Sequence, residues 1–329
     1  MKTQAGLVTG VHTVALGEVE LPAPASDELL IETAYSCVSP GTELRCLAGL
    51  QPGQPEWPFI PGYAQTGSVI GRGEQTTLPI GTRVFCRGTQ RVSVARLWGG
   101  HIGHAVVREG DVFALDERVG LLEAAGAALA AIALHGVRVS RPQIHETVAV
   151  VGLGPIGQFS ARLHQLAGAR VVATDRVPER VALARAAGIE AYLAGEMLAS
   201  TLAEVLPHGA DVIVDATGAR AVLPQAIEMA KDVPWGDTLV TPSRLLIQGS
   251  YPADVSFPYQ EAFRKELTLQ LTRDYQPRDL RRSLELIASG ALAVRDLISI
   301  EAAPAEAAAT YAALSSATGG LMTAVFNWK

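Results

Sequence analysis

The sequence predicts an α/β protein in which a β-rich part precedes a doubly wound parallel sheet. From Thr147 onward, apolar runs of strand length alternate with segments of helical spacing, as in a sheet covered by helices on both faces. Before about residue 117, short β-branched runs are separated by Gly and Pro, which is typical of an antiparallel barrel or sandwich. A chain of 329 residues is long enough for both parts.

The β-rich part is predicted to contain four main strand regions. Their sequences are LLIETAYSCVSP, GSVIGRG, TRVFCRG and AVVREGDVFAL, at positions 29–40, 67–73, 82–88 and 105–115. From about Leu121 the composition changes. The segment LLEAAGAALAAIALHGVRVS is rich in small residues and predicts a helix leading into the second part.

The second part is predicted to contain six strands. The run TVAVVGLG is apolar throughout and ends in glycines, so we expect it to be buried on both faces of a parallel sheet. The segment PIGQFSARLHQLAG then has helical spacing. Further strands are predicted at ARVVATD, EAYLA, ADVIVDATGA, SRLLIQGSY and ELTLQLT. After about Asp274 the sequence predicts helix, and GGLMTAVFNWK predicts a C-terminal strand that rejoins the first part.

Composition and charge exclude several classes of partner. The formal net charge is −6 and there is no basic run, so neither nucleic acid nor an anionic membrane is expected as a partner. Cys37, Cys46 and Cys86 form neither a close-spaced pair nor an even framework, which favours a reducing compartment. No apolar run approaches the roughly 20 residues of a membrane span, and no signal-peptide pattern opens the chain. We therefore expect a soluble, cytoplasmic protein.

A glycine-rich turn follows the first strand of the second part. Gly152, Gly154 and Gly157 form a G-x-G-x-x-G pattern with Pro155 and Ile156 inside it. The pattern ends an apolar strand, opens a helix, and is followed 18 positions later by an acidic residue that closes the next strand. The first glycine permits the tight turn, the second lets a pyrophosphate approach, and the third packs helix on strand. The helix N-terminus adds partial positive charge, so this context predicts a dinucleotide site in a Rossmann domain.

The acidic residue is Asp175, which we expect to accept hydrogen bonds from the adenosine ribose hydroxyls. Its charge would repel a 2′-phosphate, which favours NAD over NADP. Arg176 and Arg180 leave NADP as an alternative, because their guanidinium groups could hold that phosphate. The turns after the fourth and fifth strands are predicted to complete the cofactor site with Thr217, Gly218, Gln248, Gly249 and Ser250.

Together these segments resemble the medium-chain dehydrogenase/reductase superfamily, which includes the alcohol dehydrogenases. SPGTELR stands in place of the family's Cys-Gly-Thr-Asp-x-His, and PGYAQTGSVIGRG in place of Gly-His-Glu-x-x-Gly-x-Val; GTRV, GGHIGHAVV, VGLGPIG and DATG follow. The Ser-Pro-Gly-Thr-Glu variant resembles a zinc-lacking branch of bacteriochlorophyllide a dehydrogenase-like oxidoreductases. The resemblance implies a GroES-like catalytic domain at 1–117 and 273–329, and a Rossmann NAD-binding domain at 118–272.

The resemblance places the family's metal ligands on residues unsuited to zinc. The first ligand falls on Pro40, the histidine on Tyr63, and the third ligand near Ala128. Zinc sites use Cys, His and carboxylates, so we expect no catalytic zinc. The four-cysteine loop for structural zinc is absent as well. An alternative is a zinc site built from residues outside the family's ligand positions, namely Cys37, Cys46, His101 and His104. The spacing of these four residues matches no known zinc pattern.

Without zinc, either another group must polarise the reacting carbonyl or the substrate must need less polarisation. The resemblance implies that Tyr63 donates a hydrogen bond to a developing alkoxide or passes a proton; alternatively, its ring only fills the volume of the metal. Thr42 falls at the family's proton-relay hydroxyl, or else caps the following turn. Glu43 falls at the acid that supports the metal site, and Arg45 replaces the relay histidine. That arginine could pair with Glu43 or with an anionic ligand group.

The predicted function is zinc-independent hydride transfer between NAD(H) and a small-molecule substrate, a secondary alcohol or its ketone. Reduction of an activated C=C bond is an alternative reaction, and a catalytically inactive nucleotide-binding subunit is an alternative of another class. The resemblance implies a homodimer or homotetramer through the Rossmann domain, where the alternating LTLQL at 267–271 is an edge that needs covering. The segment 231–243 lengthens a turn that is usually short, and the sequence indicates no role for it.

Overall fold

The computed structural model of the chain describes residues 1–236, 240–251, 254–316 and 320–329. The chain forms two compact units, Met1–Ala128 with Leu280–Lys329, and Leu129–Asp279. The first unit contains two β-sheets and the second contains one parallel sheet. The predicted α/β class is confirmed.

The strands of the described residues fall into three sheets. In chain order they are β1 Lys2–Gly10, β2 Thr13–Glu20, β3 Glu28–Cys37, β4 Phe59–Ile60, β5 Gln65–Arg72, β6 Arg83–Cys86, β7 Ala95–Arg96, β8 His104–Arg108, β9 Phe113–Ala114, β10 Thr147–Val151, β11 Arg170–Asp175, β12 Glu190–Leu193, β13 Val212–Asp215, β14 Arg244–Ile247, β15 Thr268–Leu271, β16 Ile298–Ala302 and β17 Thr323–Asn327.

The helices of the same residues are mostly short. In chain order they are α1 Pro40–Leu47, α2 Leu121–Ala125, α3 Ala127–Ser140, α4 Pro155–Leu166, α5 Pro178–Ala186, α6 Leu198–Leu202, α7 Val222–Glu228, α8 Tyr259–Arg264, α9 Pro277–Ala288 and α10 Ala307–Ser315. Among the described residues, no helix has both the length and the apolar character needed to cross a bilayer.

The first unit contains a seven-stranded and a four-stranded sheet, both of which contribute to an apolar core cluster. The larger sheet runs β16-β17-β3-β5-β6-β9, with β8 also paired to β3, and the smaller runs β2-β1-β4-β7. The core takes Ala5 and Val19 from the smaller sheet and Ile31, Val69 and Val106 from the larger. These residues alternate with more exposed ones along most of their strands, because successive side chains of a strand point to opposite faces.

Each predicted strand of the first part is present, with one division. The region 105–115 is two strands, β8 and β9, separated by a 3-10 turn at Glu109–Asp111. The C-terminal strand β17 pairs with β3, so the prediction that it rejoins the first part is confirmed. The expectation of helix alone between about Asp274 and that strand is wrong, because β16 pairs in parallel with β17.

The second unit is a six-stranded parallel sheet in the order β12-β11-β10-β13-β14-β15. All six strands are those predicted. In register, Val151 at the end of β10 lies opposite Thr174 of β11 and Asp215 of β13. Parallel strands whose ends align in this way gather their following turns at one edge of the sheet, where open α/β sheets bind ligands.

Burial on both faces of the sheet explains why β10 is apolar after Thr147. Val148 and Val150 belong to one buried cluster, and Ala149 and Val151 to another, so successive residues are covered on opposite faces of the sheet. The segment 231–243 lies partly outside the described residues, since 237–239 are not described. Its two ends are joined by Ser243, whose hydroxyl accepts the Lys231 N–H at 3.0 Å and donates to the Ala210 carbonyl at 2.7 Å.

Candidate functional site

The glycine-rich turn of the second unit depends on close approach between β10, α4 and the turn after β13. Gly152 has φ +88°, a conformation that L side chains rarely adopt, and a methyl group there would lie 2.6 Å from Cγ2 of Thr217. A methyl group at Gly157 would collide with the carbonyl oxygen of Gly152. These two glycines therefore serve the turn itself.

Gly154 differs from the other two glycines because its missing side chain would meet open space. The nearest atom to a methyl group there would be Nη1 of Arg180, at 3.9 Å. The N–H groups of Ile156 and Gly157, next in the first turn of α4, have no acceptor within the described part of the chain. Pro155, at the first helical position, has no N–H to satisfy. Free amides at a helix N-terminus beside open space suit a bound phosphate.

Asp175 ends β11 beside this turn and is buried except for 9% of its surface. Its Oδ2 accepts the N–H of Leu153 at 2.6 Å, and its Oδ1 accepts the N–H of Val177 at 2.9 Å. Nη1 of Arg180 lies 3.9 Å from Oδ2. A carboxylate offers about four lone-pair positions, so Asp175 retains capacity for ribose hydroxyls. Arg176 is exposed.

The turns after β13 and β14 meet at the same edge. Gly218 has φ +66°, and a methyl group there would lie 2.6 Å from the carbonyl oxygen of Ser250. A methyl group at Gly249 would collide with the N–H of Gly218. Thr217 is held by Asp215, whose Oδ1 accepts both its hydroxyl, at 2.6 Å, and its N–H, at 2.9 Å.

Gln248 leaves a polar atom unsatisfied within this set. Its Nε2 donates to the carbonyls of Ile132 and Ala133, at 3.0 and 3.3 Å, and its buried Oε1 has no hydrogen-bond partner in the described structure. The structure thus brings together the predicted cofactor residues of the glycine turn, Asp175, Arg180 and the two following turns. Their amides, open space and carboxylate fit a nicotinamide dinucleotide.

In the first unit, the residues of the predicted catalytic set lie on α1 and on the turn that holds Tyr63. The Tyr63 hydroxyl, in a residue with 8% exposure, donates to Oγ of Ser39 at 2.6 Å. The Tyr63 ring meets Trp98 edge to face, with centroids 5.2 Å apart. Ser39 immediately precedes α1. This serine is the first residue of SPGTELR, but the resemblance gives it no role because the family's ligand motif aligns from Pro40 onward.

Glu43 is fully buried and lies at the centre of a hydrogen-bond network. Its Oε1 accepts the N–H of Ser39 at 2.7 Å, while its Oε2 accepts the Tyr311 hydroxyl at 2.5 Å and lies 2.7 Å from Nε2 of His101. Because a carboxylate only accepts, Nε2 of His101 must carry a hydrogen. Burial, together with the charge of Glu43, raises the pKa of Tyr311 well above its ordinary value.

His101 continues the network away from α1. Its Nδ1 lies 2.8 Å from the hydroxyl of Ser36, which also accepts the indole N–H of Trp328 at 2.9 Å. The sequence offered a weak signal for this role, namely a histidine between glycines in GGHIGH. The sequence indicates His101 only as a member of the alternative zinc site, whereas the structure pairs it with Glu43 and Ser36.

Thr42 and Arg45 both lie on α1, and both are half-buried. Thr42 does not cap α1 with its side chain, since the position before the helix is Ser39. The Thr42 hydroxyl has no hydrogen-bond partner within the part of the chain that is described, so it is available to a ligand or to water.

The positions aligned with the family's metal ligands lack a ligand set. Pro40 and Ala128 have no ligating side-chain atom, and the Tyr63 hydroxyl is donated to Ser39. In the described ranges, no three His, Cys, Asp or Glu residues lie close enough to hold a metal ion. His104 bonds to Thr3, at 3.0 Å. Burial raises the pKa of each thiol to about 12, which disfavours the thiolate that binds metals; these are Cys37, Cys46 and Cys86.

A glycine turn of this kind after a parallel strand is typical of dinucleotide-binding domains, and comparison with known proteins identifies the family. A model of the family "Zinc-binding dehydrogenase" matches residues 155–289. The chain is 31% identical to 2-desacetyl-2-hydroxyethyl bacteriochlorophyllide A dehydrogenase of Rhodobacter capsulatus, over 94% of both chains. The chain therefore belongs to the zinc-binding dehydrogenase family of the medium-chain dehydrogenase/reductase superfamily. It is an oxidoreductase of the alcohol dehydrogenase type, as predicted.

Solved structures share the fold. A putative zinc-binding dehydrogenase of Sinorhizobium meliloti bound to NADP has a TM-score of 0.86 and 22% identity, over 99% of both chains. The 2R,3R-butanediol dehydrogenase of Bacillus subtilis has a TM-score of 0.85 and 20% identity, over 99% of both chains. These similarities confirm the pairing of a GroES-like with a Rossmann domain. The match to the family model begins at 155, so it does not include Pro40, Tyr63 or Ala128.

Proposed function

We propose that this protein transfers hydride between NAD(H) and a secondary alcohol or its ketone without a catalytic zinc ion. One observation carries the proposal. The residues predicted to bind the dinucleotide lie together in the second unit, whereas the metal-ligand positions of the first unit hold Pro40, Tyr63 and Ala128, with a hydroxyl pair at Tyr63 and Ser39.

Hydroxyl donors can replace the polarising function of a metal. As hydride reaches a carbonyl carbon, negative charge develops on the oxygen, and one well-placed donor is worth about 10²–10³ in rate. Zinc would require Cys, His or carboxylate ligands that these three positions do not supply. The candidate donors are the hydroxyl groups of Tyr63, Ser39 and Thr42.

The cofactor proposal is NAD, with NADP as the competitor. NAD(H) supplies or accepts the hydride. Asp175 would bind the adenosine ribose hydroxyls while its charge repels a 2′-phosphate. Arg180 lies 3.9 Å from that carboxylate and partly offsets the repulsion. The N–H groups of Leu153 and Val177 donate to the Asp175 carboxylate and hold it in place. We therefore expect this carboxylate to remain beside the adenosine ribose, where it disfavours a 2′-phosphate.

The substrate proposal rests on the chemistry in the relatives' names. The Rhodobacter capsulatus protein is named for a hydroxyethyl group and the Bacillus subtilis protein for 2,3-butanediol, and both names are compatible with alcohol carbons that become ketones. Secondary alcohols are therefore the first class to test. The class of hydroxyl-bearing cyclic and aromatic compounds belongs in the same panel.

Turnover of a compound panel tests the proposal. Purified protein is incubated with NADH or NADPH and either ketones or α,β-unsaturated carbonyl compounds, and mass spectrometry identifies the products. We expect ketones to be reduced to alcohols. We also expect NADH to bind more tightly than NADPH, and this difference in affinity to be smaller in Asp175→Asn. Saturated carbonyl products would instead indicate C=C reduction. Dinucleotide binding without turnover of any compound would indicate an inactive subunit.

A further inference from the structure

Ser39 carries a hydroxyl at the start of α1 that does not cap the helix. Serine before a helix ordinarily accepts a hydrogen bond from the N–H two or three residues later. No such bond is present here. Instead, Ser39 Oγ accepts the Tyr63 phenol at 2.6 Å, and Glu43 Oε1 accepts the Ser39 N–H at 2.7 Å. The Ser39 hydroxyl is thus directed toward Tyr63 and away from the helix amides.

The hydrogen of the Ser39 hydroxyl has no acceptor within the residues that the structure describes. A hydroxyl donates one hydrogen bond and accepts two, and Tyr63 fills one of the acceptor positions. Ser39 is 93% buried, given its exposure of 7%. A buried donor without an acceptor is destabilising. An oxygen atom of a bound substrate would relieve that cost, and it would do so most strongly when the oxygen becomes negative.

The buried pair of Glu43 and His101 contacts the backbone at or beside both hydroxyl residues. Glu43 holds the Ser39 N–H, and its other oxygen lies 2.7 Å from Nε2 of His101. The His101 ring packs against Gly62, where a methyl group would lie 2.7 Å from that ring. Gly62 directly precedes Tyr63 in the chain. The Glu43–His101 pair therefore sets the position of Ser39 on one side and of the Tyr63 turn on the other.

We propose that Ser39 is the catalytic residue that donates to the substrate oxygen, and that Tyr63 acts through Ser39. Glu43 and His101 are positioning residues. The proposal rests on the hydride transfer proposed above. In ketone reduction, NADH gives a hydride to the carbonyl carbon and the Ser39 proton goes to the carbonyl oxygen. The Tyr63 phenol proton replaces it on Ser39, and the phenolate takes a proton from water. Alcohol oxidation runs the same transfers in reverse.

A double-mutant cycle tests the linkage between the two hydroxyls. With the ketone that wild type reduces best, Ser39→Ala is expected to lower kcat by about 10²–10³. Tyr63→Phe is expected to lower kcat in wild type but by less than about twofold in the Ser39→Ala background, because residues that act as one unit are not additive. The matched control is Ser68→Ala in β5, a half-buried serine of the same unit with no hydrogen bond of its hydroxyl among the described residues. It is expected to retain wild-type kcat.

Two readouts separate catalysis from structural support. NADH affinity, followed by fluorescence titration, should stay within about threefold of wild type in each variant. The solvent deuterium isotope effect on kcat should fall in Tyr63→Phe, because one of two transferred protons is removed. For the positioning pair, Glu43→Gln should lower kcat without raising KM, and should add no further loss to Ser39→Ala.

The outcomes distinguish this inference from the proposed function. If wild type turns over and Ser39→Ala keeps its rate, Ser39 is not catalytic, while hydride transfer stands. Loss in Thr42→Val with no loss in Ser39→Ala would move the donor to Thr42. Multiplicative losses in the double variant would show that Tyr63 acts independently of Ser39. Absence of any turnover by wild type would overturn both proposals together.

Discussion

At the residue scale, Gly154 differs from Gly152 and Gly157 because its substitution should affect ligand binding without affecting the fold. It precedes α4 with φ −65° and ψ −177°, a conformation open to any L residue, and a methyl group there would meet only Arg180, at 3.9 Å. Gly157 has no such freedom, because a methyl group there collides with the carbonyl oxygen of Gly152. Conserving the fold therefore does not require glycine at 154, whereas close approach of a pyrophosphate does.

We accordingly expect Gly154→Ala to fold normally and to bind NADH weakly. The added methyl group occupies the space that the pyrophosphate would use, so the Kd should rise about tenfold or more, equivalent to about 1.4 kcal/mol. Fluorescence titration of NADH measures the affinity, and thermal unfolding checks the fold. The matched control is Gly110→Ala, where a methyl group would also meet open space. Wild-type NADH affinity in Gly154→Ala would show that the dinucleotide does not approach this turn.

At the element scale, α4 buries a histidine that makes the second unit sensitive to acid. His164 is fully buried, its Nδ1 lies 2.8 Å from the Ser160 carbonyl, and its Nε2 lies 3.1 Å from the Ser140 hydroxyl. Burial lowers the pKa of His164 to about 4. The unfolded chain, with a histidine pKa of about 6.5, therefore binds a proton that the folded chain excludes between these values.

This difference predicts that stability is fully present above about pH 6.5 and falls as the pH drops toward 4. At pH 5 the contribution of His164 is a loss of about 2 kcal/mol. Urea unfolding at pH 7.5 and pH 5 should show this loss in wild type and a smaller one in His164→Asn. Exposed His145 provides the control, since His145→Asn should keep the wild-type difference. Equal losses in wild type and His164→Asn would contradict the assignment.

The sequence predicts a strand well when the strand's own residues show a clear pattern, and poorly when the strand depends on a distant partner. The inner strands β10, β13 and β14 of the second unit are short, mostly apolar runs, and all six predicted strands are present. In contrast, β16 is five residues long with only partial burial, and its pairing comes from β17 more than twenty residues later. Periodicity within such a short segment does not distinguish it from the surrounding helices.

The candidate site divides in the same way. Glycine spacing and Asp175 lie within one β-α-β stretch, so their proximity could be read from the sequence. The Glu43–His101 contact joins residues 58 positions apart, and Tyr311 reaches Glu43 across 268 positions. No local pattern encodes such contacts, which explains why Ser39 and His101 were missed while Tyr63 and Glu43 were proposed from the resemblance.

At the scale of the whole molecule, the second unit presents two sheet edges with different prospects for association. β12 and β15 are the outer strands, and each ends in an exposed leucine, Leu193 at 52% and Leu271 at 72%. We propose self-association through β15, whose apolar, alternating sequence would template pairing with a second copy. Leu271→Arg should yield monomers by light scattering, while Leu193→Arg on the opposite edge should not. A monomeric wild type at micromolar concentration would contradict this proposal.

In the reaction proposed for this dehydrogenase, hydroxyls replace zinc. The most direct measurement combines elemental analysis with turnover on the same sample. Protein is dialysed against a chelator, its zinc content is measured, and ketone reduction is followed by NADH absorbance before and after zinc is added back. We predict far less than one zinc per chain, full activity after dialysis and no gain from zinc. About one zinc per chain, with activity lost on its removal and restored on its return, would contradict the claim.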